Sequence, residues 1–197
     1  MSGLRETKKA ATRATLARAA ARLALDRGAE GLTVAAVSEA AGVSPRTFHN
    51  YFTSMEEALV EFIVDRASSL AEQLNAVPAD VGLFEAVEKV VLVGLRRDNG
   101  GHGELDSFAT LFRIGDVLQT LTGVDARPEF TEHLGPVFET VHPRVSGLDE
   151  FGSQVAVNAA VSVARTALET YYSLPEPRDG ATGEELVHRA FAVVRLA

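Results

Sequence analysis

An all-α fold of about nine helices is predicted by three features of the 197-residue sequence. Apolar side chains recur every three to four residues nearly throughout, strand-like alternation is hard to find, and glycine and proline fall between the periodic runs. A hydrophobic fraction of 46% with dispersed charge gives a packed core and excludes a disordered or fibrous chain. In chain order, an alanine-rich first helix ends at Gly28 and Gly31. Thr33 opens a second helix that stops at Gly42, Ser44-Pro45 opens a third, and Ser54 opens a fourth that runs to about Ala76, ahead of Pro78. Further helices are predicted at about 82–98, 104–122, 128–141, 149–173 and 182–195. Their separators are Asn99-Gly100-Gly101, Gly123 with Pro128, Pro143 to Gly147, and Pro175 with Pro177. The expected division is a three-helix domain over residues 1–53 and a larger helical domain over 54–197, joined by the long fourth helix.

No cysteine is present, which removes disulfides and thiolate metal sites and fits a reducing compartment. No run of about 18 uncharged apolar residues occurs, and Met1 to Arg22 mixes alanine with six basic residues instead of an export core. A soluble, cytoplasmic protein with no membrane partner is expected. The net charge of −8 is unevenly spread. Residues 1–53 carry eight Lys/Arg against four Asp/Glu, a net of +4, and the remainder carries eleven against twenty-three, a net of −12. A basic head on an acidic body turns the head towards a polyanion.

The segment TVAAVSEAAGVSPRTFHNYFTSMEE, residues 33–57, is the most informative. Thr33 is a good N-cap, Val34, Val37 and Ala41 share one face, and Gly42 stands where a left-handed C-terminal residue is wanted. Ser44 caps the next helix, with Pro45 at its first position, where the missing N–H costs nothing. Two short helices joined by a tight glycine turn make a helix-turn-helix. Phe48, Tyr51 and Phe52 supply bulk to pack on Leu16, Ala20 and Leu23, which leaves Pro45, Arg46, Thr47, His49 and Asn50 facing outward. Arginine pairs with guanine O6 and N7 and asparagine with adenine N6 and N7, so this set suits a major groove. Thr47 and the Tyr51 hydroxyl have the chemistry to reach phosphate. Ser54 and Glu57 form a Ser-x-x-Glu capping box at the start of the fourth helix.

The Gly-x-x-Gly turn followed by TVAAVSEAAGVSPRTFHNYFTSMEEAL resembles the DNA-binding domain of the TetR family of bacterial regulators, over roughly residues 10–60. The resemblance implies double-stranded DNA as partner, a palindromic operator and a homodimer. It implies DNA contacts from Thr33, Ser44, Pro45, Arg46, Thr47, His49, Asn50 and Tyr51. His49 replaces a frequent tyrosine, and Met55 replaces a frequent phosphate-binding lysine. Lys8, Lys9 and Arg13 are candidates to supply the replacement charge.

The same resemblance implies a C-terminal domain for dimerisation and for an unidentified small-molecule effector. Phe151, Val155, Ala159, Ser162 and Thr166 form a mostly small stripe, and Leu186, Ala190 and Val193 form a second one, together a candidate four-helix dimer interface. An apolar effector cavity is a candidate among Phe84, Val91, Leu95, Phe108, Phe112, Phe130 and Phe138, with His133, Asn158 and Arg165 as polar anchors. Internal packing is the alternative reading of both sets at helical spacing. Phosphate-loop, nucleophile-elbow and metal-ligand spacings are all missing, so neither catalysis nor a cofactor is expected. The competing functional reading is a helical protein-interaction module that binds no operator; an enzyme with an unrecognised site is a third.

Overall fold

The computed structural model describes residues 2–99, 108–122, 142–145 and 147–196, and the described residues are helical without a strand. Eight α-helices are present among them: α1 (Ser2–Arg27), α2 (Val34–Ala40), α3 (Pro45–His49), α4 (Met55–Ala76), α5 (Leu83–Asn99), α6 (Phe108–Thr122), α7 (Glu150–Tyr172) and α8 (Gly180–Leu196). A 3-10 turn covers His142–Val145. The helix predicted over 128–141 and the first residues of the one predicted over 104–122 lie outside the described residues, and the other spans agree with the predicted ones within a few residues.

By its contacts the chain divides into two compact units, and the division falls inside α4, between Arg66 and Ala67. The sequence division at residue 54 marks where α4 begins. Its first turns belong to the N-terminal unit, because the buried stripe Ala58, Leu59, Phe62 and Ile63 contributes to that unit's interior. The described residues 113–122 of α6 are grouped with the same unit, where Arg113 donates to the carbonyl of Leu25 at 3.3 Å. In α1 the stripe Leu16, Ala17, Ala20, Ala21, Leu23 and Ala24 is buried, whereas every side chain from Glu6 to Ala11 is exposed. Lysine and alanine are strong helix formers, so α1 extends beyond its buried stripe.

In the C-terminal unit α7 and α8 pack on each other and both pack on α5. The core joins Val91 and Leu95 of α5 to Ala164 and Tyr171 of α7 and to Val187 and Phe191 of α8. Small residues on α7 and Gly183 on α8 permit this close approach: a Cβ at Gly183 would stand 2.9 Å from Leu95 Cδ2 and from Tyr171 Cε2. One buried carboxylate is tied in. Glu88 of α5 accepts from Arg195 Nη1 and contacts His188 Nδ1 of α8, each at 2.8 Å. Arg144 closes the C-terminal end of α4. Its guanidinium donates to the carbonyls of Leu74, Val77, Pro78 and Val81, and the Leu74 and Pro78 carbonyls also accept the N–H groups of Val77 and Val81, each at 3.1 Å.

Candidate nucleic-acid interface

The turn between α2 and α3 is built as the sequence predicts. Thr33 Oγ1 accepts from the N–H of Ala36 at 3.2 Å and caps α2. After Ala41 the chain enters Gly42 at φ +68°. The Gly42 N–H donates to the Glu39 carbonyl at 3.0 Å and the Val43 N–H to the Ser38 carbonyl at 2.9 Å, the paired bonds of a Schellman ending. Ser44 Oγ then accepts from the N–H of Thr47 at 3.1 Å, and Pro45 occupies the first turn of α3.

Helix α3 ends at His49, with Asn50 as its C-cap, and the chain turns through Tyr51. Phe48 and Phe52 are fully buried, and their rings lie 5.7 Å apart. Pro45, Arg46, His49 and Asn50 are exposed, as are Thr33 and Ser44, whereas Thr47 and Tyr51 are half-buried. The Thr47 hydroxyl pairs with the Ser44 hydroxyl at 2.9 Å, so these two groups stiffen the start of the helix before they can contact anything else. His49 stands edge-on to Phe48 at 5.6 Å with its ring in solvent. The Met55 side chain is buried.

Lys8, Lys9 and Thr12 of α1 and Thr47, Asn50 and Tyr51 line one cleft of about 390 Å³. Both lysines are exposed and have no ion pair among the described residues. Arg13 does not join them. Its Nη1 donates to the Tyr51 carbonyl at 2.6 Å, its Nη2 meets Glu57 at 3.2 Å and Glu61 at 3.0 Å, and its Cζ lies 4.3 Å over the Phe52 ring. The charge that the sequence offers for a phosphate contact at Arg13 is thus met within the protein by two carboxylates. Sequence spacing concealed this, because Glu57 and Glu61 lie 44 and 48 positions away and carry no local signal.

The capping box is formed in altered form. Ser54 Oγ accepts from the Glu57 N–H at 3.2 Å, but the Glu57 carboxylate reaches one residue further back, to the N–H of Thr53 at 2.7 Å and its hydroxyl at 2.8 Å. Burial pushes the Glu57 carboxyl up. The Thr53 donors and the Arg13 guanidinium outweigh it and hold the group below the ordinary carboxylate value.

The other predicted sites are only partly brought together. Val91, Leu95 and Phe112 lie in the core of the C-terminal unit with Phe84 packed against it, the arrangement that internal packing also gives. Asn158 stands exposed on α7, two residues before buried Ala160, because about 200° of helical rotation separates them. Arg165 pairs with Glu169 at 2.6 Å and lies 5.9 Å over Phe112. Phe130, His133 and Phe138, and the side chain of Phe108, lie outside the described residues. Phe151, Val155, Ser162 and Thr166 are exposed along one side of α7 and Ala159 is half-buried, while on α8 Val193 is exposed and Leu186 and Ala190 are half-buried against the core.

Residues 16–62 match the family described as bacterial regulatory proteins, tetR family. The HTH-type transcriptional regulator TcmR of Streptomyces glaucescens is 39% identical over 92 residues, which is 43% of this chain and 41% of that protein. The chain thus matches less than half the length of this curated relative. Among solved structures, a transcriptional regulator from Rhodococcus sp. Rha1 aligns with a TM-score of 0.65 at 14% identity, covering 93% of this chain and 96% of that one. The fatty acid degradation regulator FadR from Bacillus halodurans aligns with a TM-score of 0.64 at 13% identity, covering 93% and 94%. At such identities these neighbours bear on the fold alone. The glycine turn, the capped α3 and the matched segment agree: residues 16–62 are similar to the helix-turn-helix segment of the tetR family of bacterial regulatory proteins.

Proposed function

We propose that this chain is a homodimeric, sequence-specific DNA-binding transcriptional regulator, acting as a repressor that a small apolar ligand releases from a palindromic operator. The observation that carries the reading is the separation of faces on α3. Phe48 is buried, while Arg46, His49 and Asn50 stand in solvent on a helix capped at both ends. The side-chain groups of Arg46 and Asn50 have no protein partner among the described residues, so they are free to donate to base edges. Lys8, Lys9, Thr47 and Tyr51 flank them and supply phosphate contacts, with Thr33, Ser44 and Pro45 at the rim of the same surface.

The reading includes a dimer, because two copies of α3 would read two half-sites. The exposed stripe of Phe151, Val155, Ser162 and Thr166 on α7, with Val193 on α8, offers a face for a second copy. The ligand is proposed to enter near Phe84, Val91, Leu95 and Phe112, and it releases DNA only if it binds the DNA-incompetent dimer more tightly. Catalysis forms no part of this reading.

The test is a mobility shift on duplexes flanking the chain's own gene, repeated across salt concentrations. A palindrome-dependent shift that weakens steeply with salt is expected. Arg46→Ala should cost about 1–3 kcal/mol on the preferred duplex and relax base preference at one position of each half-site. Unchanged affinity and unchanged preference in Arg46→Ala would remove it from the reading set.

A further inference from the structure

We infer that Arg13 is a positioning residue of the DNA-reading surface: from α1 it holds the end of α3 and the first turns of α4 in place and makes no contact with DNA itself. The inference rests on the proposed DNA reading and adds a residue that charge alone would misassign. A five-residue helix cannot hold its own conformation, so the direction of α3 is set by what grips it from outside. At its start the grip is Ser44, at its centre the buried ring of Phe48, and beyond its end the Arg13 bond to the carbonyl of Tyr51. The same guanidinium stacks on Phe52 and reaches two carboxylates of α4, one of which caps the Thr53 N–H. A single planar cation thus joins three segments, a task suited to its rigid fork of donors.

Its charge is spent within the protein. Glu57 and Glu61 lie within 3.2 Å of Nη2, so the local sum is negative and repels a phosphate. Lys8 and Lys9, little more than one turn earlier on α1, have no such partners. They form one wall of the cleft whose other wall carries Thr47, Asn50 and Tyr51. Arg13 keeps those walls in register, and the lysines supply the charge.

The two roles leave opposite signatures, which the full-length protein can display. A duplex selected from a random pool by the wild-type protein is compared with a scrambled duplex of the same composition, across salt, for wild type, Arg13→Gln, Arg13→Lys and a Lys8→Gln/Lys9→Gln double variant. Arg13→Gln should lose about tenfold or more on the selected duplex, little on the scrambled one, and keep the wild-type salt slope. The lysine double variant should weaken both duplexes alike and lower the slope by about two. Arg13→Lys, which keeps the charge but not the fork, should fall between wild type and Arg13→Gln on the selected duplex alone. Hydrogen exchange without DNA should show faster amides over residues 46–52 in Arg13→Gln, with α7 and α8 unchanged.

A slope lowered by about one in Arg13→Gln, with equal loss on both duplexes, would make Arg13 a phosphate contact and overturn the inference. Uniformly faster exchange across the chain would reduce its role to general stability and overturn it as well. Should the wild-type protein prefer no duplex at all, the DNA reading falls by itself, while the exchange comparison still decides whether Arg13 holds α3.

Discussion

Gly42 has φ +68° and nothing within 4 Å of an added Cβ, whereas Gly183 has an ordinary backbone and two buried side chains 2.9 Å from that position. Alanine at 42 is opposed by backbone strain and at 183 by packing against Leu95 and Tyr171. We expect Gly42→Ala to cost about 1–2 kcal/mol and Gly183→Ala about 1–3 kcal/mol less the gain in helix propensity of about 1 kcal/mol. Asparagine, which tolerates the left-handed region, should recover part of the loss at 42 and worsen it at 183, as read from urea midpoints. Glu57 gives a pH prediction. Its folded carboxyl titrates below the ordinary value of 4.5, so its stabilisation is complete above that value and is lost as pH falls through the lower folded one. Glu57→Gln should therefore show a smaller drop in urea midpoint than wild type as pH is taken from 5 towards 3, both starting points normalised. Identical acid limbs would remove Glu57 from the linkage. Gly42 and the Ser54–Glu57 pair were legible in sequence because caps are local. The partners of Arg13 and Gly183 were not, because packing brings together residues far apart in the chain.

At the level of elements, the short helices α2 and α3 were readable because their boundaries are written in side chains that cap them: Thr33, Gly42, Ser44 and Pro45. The end of α3 carries no such mark, since Asn50 and Tyr51 keep helical spacing while the chain is already turning through the cap. Helix α4 shows a different limit. Its start follows from Ser54 and its stop from Pro78, yet its last carbonyls are satisfied by Arg144, about seventy positions away. Removing that guanidinium takes one donor from each of these carbonyls, although Leu74 and Pro78 keep a backbone N–H each. Arg144→Gln should cost about 2 kcal/mol and raise hydrogen exchange over residues 74–81 ahead of the rest of the C-terminal unit. Protection there equal to wild type would show that water alone suffices.

For the whole molecule, the decisive feature is what stays uncovered. Phe151 is 75% exposed, Val193 67% and Val155 49%, an unusual set of large apolar side chains to leave in water. If a second copy covers this face, Phe151→Glu should raise the dimer dissociation constant by at least about a hundredfold. Sedimentation should then show monomers whose helical content is unchanged, and a persistent dimer would move the interface elsewhere. No described helix is long and apolar enough to cross a membrane, and no group of metal-binding side chains occurs among the described residues.

The sequence by itself determined the helical class, the placement of most helices and the two-helix motif, because periodicity, caps and turn glycines act over a few residues. Tertiary structure decided which charges remain available. Arg13 and Lys9 are both basic residues of one helix four positions apart, yet one is enclosed by carboxylates from another helix and the other is not. Composition counts them equally. Only the fold, by bringing Glu57 and Glu61 to one of them, separates a cation that holds the surface from one that can attract a polyanion.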